Sequence, residues 1–205
     1  MRVIAGERGG LRLKGPPSKA TRPMTDKIKS AVFSMLAALG SETERVLDLY
    51  AGTGGLGIEA LSRGASHAEF VEQAGAAVAV IRANLAHTDY VAASTVHQTP
   101  VTAYLARSAL NATPFDLIFM DPPYADDDIV DILRTIGESA LIQSGTLVVL
   151  GHWPRLTPPA TAGQLELVRS RCHGDSCFTV YEWPLADDPT TDPDTGFDDE
   201  PLTQE

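Results

Sequence analysis

Cysteine is almost missing from this 205-residue chain, which holds two, Cys172 and Cys177. A zinc site needs about four Cys or His ligands at set spacings, and with His173 between the cysteines there is still no second ligand pair, so no metal is expected. The opening Met1-Arg2-Val3-Ile4-Ala5-Gly6-Glu7-Arg8 has no long apolar run, so no secretory signal is expected. A cytoplasmic location follows as the default, with both thiols reduced. No stretch approaches the roughly 18 apolar residues that a membrane span requires, so no membrane partner is expected. Basic side chains are also short, 16 against 27 acids, for a net charge of −11.

The shortage of positive charge is uneven. Residues 1–30 hold eight basic residues and two acids, a local charge of +6. Residues 31–186 carry −9, and from Asp187 onward eight acids with no Lys or Arg carry −8. A basic front end joined to an acidic tail is the asymmetry expected of a surface that binds a polyanion. Hydrophobic content of 43% suits one folded domain.

Residues 2–14 read as a small hairpin, Val3-Ile4-Ala5 and Leu11-Arg12-Leu13 flanking Gly9-Gly10, ended by Gly15-Pro16-Pro17. A helix follows with Thr25 as N-cap, Gly40 as its stop, and Ile28, Ala31, Val32, Met35, Leu36 and Leu39 on one face. Strand and helix then alternate. Strands are expected at 45–50, 68–72, within 90–97, at 115–120 and at 145–150. Helices lie between them, the last with Ile129, Ile132, Leu133 and Ile136 on one face. Residues 164–171 and 176–183 break the pattern as a hairpin around His173-Gly174-Asp175. Five βα units and a terminal hairpin predict an α/β, doubly wound sheet with an antiparallel edge. The expected organisation is a basic N-terminal extension over 1–24, a main domain over 25–186, and a disordered acidic tail over 187–205.

The first strand runs into Asp48-Leu49-Tyr50-Ala51-Gly52-Thr53-Gly54-Gly55-Leu56-Gly57. Glycines there permit a sharp turn and close approach of a ligand, and the next helix offers free N–H groups. Gly52, Gly54 and Gly57 also satisfy the dinucleotide fingerprint, with Glu72 twenty residues after Gly52 at a strand end. A carboxylate in that place can hold both hydroxyls of a ribose. The turn alone therefore leaves a nicotinamide cofactor open.

The fourth strand ends Asp121-Pro122-Pro123-Tyr124. Two prolines remove two N–H donors, leaving carbonyl acceptors beside the Asp121 carboxylate, while Tyr124 offers a ring on which a base can stack. Such a set suits the exocyclic amine of a base, whose lone pair is delocalised into the ring. Acceptors binding both amino hydrogens favour a pyramidal nitrogen that can attack an electrophilic methyl group in line. The base has to be flipped out or already single-stranded.

These residues resemble class I methyltransferases, Asp48 to Gly57 as the first motif, Glu72 as the ribose acid, and Asp121 to Tyr124 as the fourth motif. Thr21 to Leu36, Arg2 to Gly6 and Gly57 to Gly64 are further similar to the RsmD family, over about residues 2–183. The resemblance implies a Rossmann-like fold of seven strands in the order 3-2-1-4-5-7-6, strand 7 antiparallel, with a small N-terminal hairpin and helix. It implies S-adenosylmethionine as cofactor, and methylation of N2 of a guanine, conventionally numbered 966, in 16S ribosomal RNA within an assembled or partly assembled small subunit. Implied catalytic residues are Asp121, Pro122, Pro123 and Tyr124. Implied cofactor residues are Asp48, Ala51, Gly52, Thr53, Gly54, Gly57 and Glu72. Arg2, Arg8, Arg12, Lys14, Lys19 and Arg22 are then expected to clamp RNA phosphates, on a monomer.

The chain departs from the family pattern in three places. Lys29-Ser30 stands for the usual Arg-Glu. Gln73-Ala74-Gly75 follows Glu72 without a second acid. His97-Gln98-Thr99 lacks the acid that often meets adenine, which leaves a backbone N–H or the Thr99 hydroxyl for that contact. Competing readings are a DNA adenine-N6 or other amino methyltransferase, an NAD-dependent oxidoreductase, and a non-catalytic RNA-binding assembly factor.

Overall fold

The computed structural model describes residues 1–15, 25–40, 43–108, 113–123 and 128–185. Lys19, Arg22, Tyr124 and the acidic tail, all singled out from sequence, lie outside the described residues. The elements are α1 (Asp26–Ala38), β1 (Arg45–Leu49), α2 (Gly55–Ser62), β2 (His67–Glu72), α3 (Gly75–His87), β3 (Ser94–Gln98), α4 (Val101–Ser108), β4 (Leu117–Met120), α5 (Ile129–Gly137), β5 (Leu147–His152), β6 (Thr161–Ala162), β7 (Leu165–His173) and β8 (Ser176–Glu182). Thr25 caps α1, its hydroxyl accepting the Ile28 N–H at 3.3 Å.

All strands join one sheet in the order β3-β2-β1-β4-β5-β8-β7-β6. This is the expected 3-2-1-4-5-7-6 arrangement with one addition. The two-residue β6, too short to carry a period-two signal, pairs with the start of β7 and raises the count from seven to eight. β3, β2, β1, β4 and β5 run parallel, and β8 returns antiparallel to β5. The middle strands β4 and β5 are buried on both faces, as their near-continuous apolar runs demand.

One face of the sheet is covered by α1, α2, α3 and the N-terminal segment, around Val3, Val32, Phe33, Ile58, Phe70, Ile81, Phe119 and Phe178. The other is covered by α4 and α5, around Leu49, Tyr104, Ile118, Leu133, Leu150 and Tyr181. Gly57 sets how closely α2 approaches the sheet, because a Cβ there would run into the Phe70 ring.

The N-terminal hairpin is narrower than expected, a single antiparallel bridge between Arg2 and Arg12. Its strand is cut short because the Ile4 and Ala5 N–H groups donate instead to the Glu59 carboxylate, at 2.7 and 3.0 Å. The cysteines also differ from expectation. Cys172 and Cys177 face each other across β7 and β8 and are joined as a disulfide, so neither is a free thiol. Their pairing follows from the hairpin register, which five-residue spacing by itself does not announce.

Candidate active site and family membership

Adjacent parallel strands place two turns together. β1 and β4 pair in register, Asp48 opposite Phe119 and Leu49 opposite Met120. The glycine turn leaving β1 and the Asp121 turn leaving β4 therefore open on the same rim, at the carboxyl ends of the strands, where folds of this type bind ligands.

Between β1 and α2 the chain turns through Tyr50 at φ 57°, Gly52 at φ 54° and Gly54 at φ 77°. The glycines adopt this left-handed backbone without a steric cost, whereas Tyr50 adopts it against the preference of a bulky side chain. Strained residues of this kind gather at ligand sites, and nothing in the local sequence announces Tyr50. A Cβ on Gly52 would meet only the Tyr50 carbonyl, at 3.9 Å, so the backbone there is open to a ligand. Ala51 and Thr53 are buried in the same turn.

Asp48, 2% exposed, accepts the Gly57 N–H at 2.9 Å and so ties the strand to the helix after the turn. Burial pushes its carboxyl up to about 8, with the Gly57 bond opposing and the charges of Asp121 and Glu72 adding to the rise. Glu72 accepts the Gly52 N–H at 2.9 Å and the Ala74 N–H at 2.8 Å. Each oxygen keeps a second acceptor position, so these bonds shape the loop and still leave room for ribose hydroxyls. The Thr99 N–H donates to the Glu72 carbonyl at 3.1 Å, and its hydroxyl accepts from Arg107 at 3.4 Å. Of the groups considered for adenine, that N–H is thus already engaged.

Asp121 is half-buried at the end of β4, and desolvation raises its carboxyl to about 6. Its side chain lies against Gly151 of β5, where a Cβ would overlap the carboxylate. Pro122 is buried beside it and Pro123 is exposed. Asp48, Glu72 and Asp121 converge closely enough for their charges to interact. With Asp48 held largely neutral by burial, the charge of this mouth is that of Glu72 and Asp121, which attract a cation and oppose the pyrophosphate of a dinucleotide. A sulfonium-bearing cofactor therefore fits the glycine cradle and its acids better than NAD does.

The basic residues divide. Arg12 and Lys14 are exposed, and Arg2 is exposed while paired with Asp26 at 3.2 Å. Arg8 is bound to Asp89 at 3.3 Å and Glu7 at 3.6 Å and lies over the Tyr90 ring. Lys29, counted in the basic front end, is 2% exposed and salt-bridged to the fully buried Glu59 at 3.1 Å, so its charge belongs to the interior. Its pKa is lowered by desolvation, with Glu59 opposing. Lys29 thus fills from one side the place the Glu59 carboxylate needs; Arg63 at 2.8 Å fills the other.

Sequence reasoning missed Glu59 and Asn84, which tie the N-terminal segment to the site. Asn84 is fully buried and donates to the carbonyls of Thr53 at 3.0 Å and Lys14 at 3.2 Å while accepting the Lys14 N–H at 2.8 Å. The glycine turn and the basic segment therefore share one bridge. Both residues read as ordinary polar positions on helices, since only the fold shows what faces them.

Known proteins resemble this chain over most of its length. YlbH of Bacillus subtilis (strain 168) is 35% identical over 182 residues, covering 89% of this chain and 98% of that one. Ribosomal RNA small subunit methyltransferase D of Haemophilus influenzae is 32% identical over 184 residues, covering 89% of this chain and 93% of that one. Among solved structures, the Escherichia coli protein yhhF superposes with a TM-score of 0.78 at 25% identity, over 91% of this chain and 99% of that one. The family model described as Conserved hypothetical protein 95 matches residues 1–182. The chain belongs to that family, the RsmD-type methyltransferases, and its methyl donor is S-adenosylmethionine.

Proposed function

We propose that this protein methylates the exocyclic N2 amine of a guanine in small-subunit ribosomal RNA, presented within an assembled or partly assembled subunit. The observation that carries the reading is the shared rim, with the glycine cradle of β1 beside an acceptor-rich turn at the end of β4. When bound, S-adenosylmethionine supplies an electrophilic methyl group on a cationic sulfur. Gly52, Gly54 and the α2 N-terminus would hold its amino-acid end and Glu72 its ribose, with Asp48 bracing the loop from beneath. Asp121 accepts a hydrogen bond from the target amine, and the proline backbone adds carbonyl acceptors without competing N–H donors. The amine is thereby oriented and its lone pair is drawn out of ring conjugation. Relatives that are ribosomal RNA small subunit methyltransferases support ribosomal RNA as substrate.

The test is to incubate the protein with labelled cofactor and, separately, undermodified small subunits, free ribosomal RNA and DNA, and to map the labelled base. Label on guanine N2 in small subunits is the expected result. Label on DNA adenine, or on another base, overturns it.

A further inference from the structure

The rim beside Asp121 continues onto β8 and β7, which the reading so far leaves without a role. β5 carries Gly151 against Asp121, and Gly151 pairs with Phe178 of β8, which in turn pairs with Arg171 of β7. The free end of the β7–β8 hairpin therefore stands on the rim that carries the site.

β7 is unusual for a strand of this length. Residues 166–172 are all exposed, and β6 pairs only with its first two residues. A β-bulge between Leu167 and Arg169 shifts the register by one. Before the bulge, Leu167 faces Tyr181 on the α4/α5 side of the sheet. Strict alternation would send residues 169, 171 and 173 to that same side. After the bulge, Arg169 pairs with Val180 and Arg171 with Phe178, both on the side of α1 and the N-terminal segment. Bulges re-aim side chains in this way. Here the effect is to bring Arg169, Arg171 and His173 onto the sheet face that also bears the exposed Arg12 and Lys14.

The side chains of Arg169 and Arg171 form no ion pair or hydrogen bond among the described residues. Of the acids of the hairpin, Glu166 and Glu182 pair at the far end, while Asp175 lies in the turn at the rim. Two residues past Gly151, Trp153 is 36% exposed, and Arg155 follows it, exposed. A protein of net charge −11 thus keeps unpaired arginines and an exposed indole on one flank of the site.

Resting on the reading of the protein as a ribosomal RNA methyltransferase, we propose that the β7–β8 hairpin and the Trp153–Arg155 turn form an RNA-docking surface flanking Asp121. Arg169 and Arg171 hold phosphates on the strand that delivers the target base. Trp153 stacks on an adjoining unpaired base. The charges match a polyanion, and stacking on an indole suits single-stranded nucleotides.

The experiment compares R169E/R171E, R169K/R171K and W153A with the wild type on small subunits lacking the methyl mark, at several salt concentrations. The double reversal should raise KM at least tenfold with kcat within about twofold. It should reduce the salt slope by about two, one phosphate contact for each arginine. The lysine pair should restore most of the KM, and W153A should raise KM without changing the slope. Affinity for S-adenosylhomocysteine should be unchanged throughout, and R134E, a reversal on α5 away from this rim, should behave as wild type. Wild-type KM and slope in R169E/R171E would overturn the docking surface while leaving the enzymatic reading standing. Aggregation of that variant with unchanged KM would show that the arginines only guard an open sheet edge, and would overturn it too. Absence of ribosomal RNA methylation by the wild type would instead defeat the reading on which it rests.

Discussion

The Asp121 carboxylate lies against the bare backbone of Gly151, one strand away in the sheet. Any side chain at position 151 would occupy the space that the carboxylate uses. G151A should therefore displace Asp121 while leaving the glycine cradle untouched. A displacement of about 1 Å at a reacting centre costs on the order of 100-fold in rate. Steady-state kinetics should show that loss in kcat, and calorimetry should show unchanged affinity for S-adenosylhomocysteine. A kcat within threefold of wild type would mean that Asp121 does not need its present position.

Asp121 must be ionised to act as acceptor, and desolvation holds its carboxyl up at about 6. The kcat/KM profile should therefore climb between pH 5 and 7 and level off above, with an apparent pKa near 6. D121N should lose that limb and run about 100- to 1,000-fold slower, the usual cost of removing one well-placed electrostatic partner. A limb near the ordinary carboxylate value of about 4 would assign the titration elsewhere.

Asp48 links pH to stability. Its carboxyl stands at about 8 in the folded protein, above the unfolded value of 3.8, because burial disfavours the charge. The folded state therefore binds the proton more tightly. That contribution to stability is complete below pH about 4 and is lost as pH rises toward 8. D48N keeps an oxygen for the Gly57 N–H but has no proton to lose. Its melting temperature should match wild type near pH 4 and exceed it increasingly toward pH 8, while cofactor affinity falls. A constant difference across that range would refute the linkage.

Glu59 is fully buried and receives Lys29, Arg63 and the N–H groups of Ile4 and Ala5. E59A should cost about 3–5 kcal/mol in urea unfolding, because Lys29 is left buried without its counter-charge. In hydrogen exchange, the Ile4 and Ala5 amides should lose protection before those of the sheet. A loss under about 1 kcal/mol would show that Arg2, whose carbonyl accepts from Lys29 at 2.6 Å, suffices as partner.

Much of this protein is legible in one dimension. Apolar runs at 117–120 and 147–150, the buried strand Val46–Leu49 around Asp48, and helical stripes such as Ile129, Ile132, Leu133 and Ile136 specify the alternation of strand and helix, since burial must follow each element's own period. The glycine turn and the Asp-Pro-Pro turn are visible because backbone sterics alone make those residues unusual. Three-dimensional folding decided the rest. That Asp121 needs a glycine at 151, that Lys29 is buried against Glu59, that Asn84 joins the basic segment to Thr53, and that Cys172 meets Cys177 all depend on which strands and helices lie side by side. So does the bulge that turns Arg169 and Arg171 toward the N-terminal face. Local periodicity determines what a segment becomes. Lateral register between segments far apart in the chain is settled only when the whole sheet closes over its two cores, because only then does each side chain acquire its neighbours.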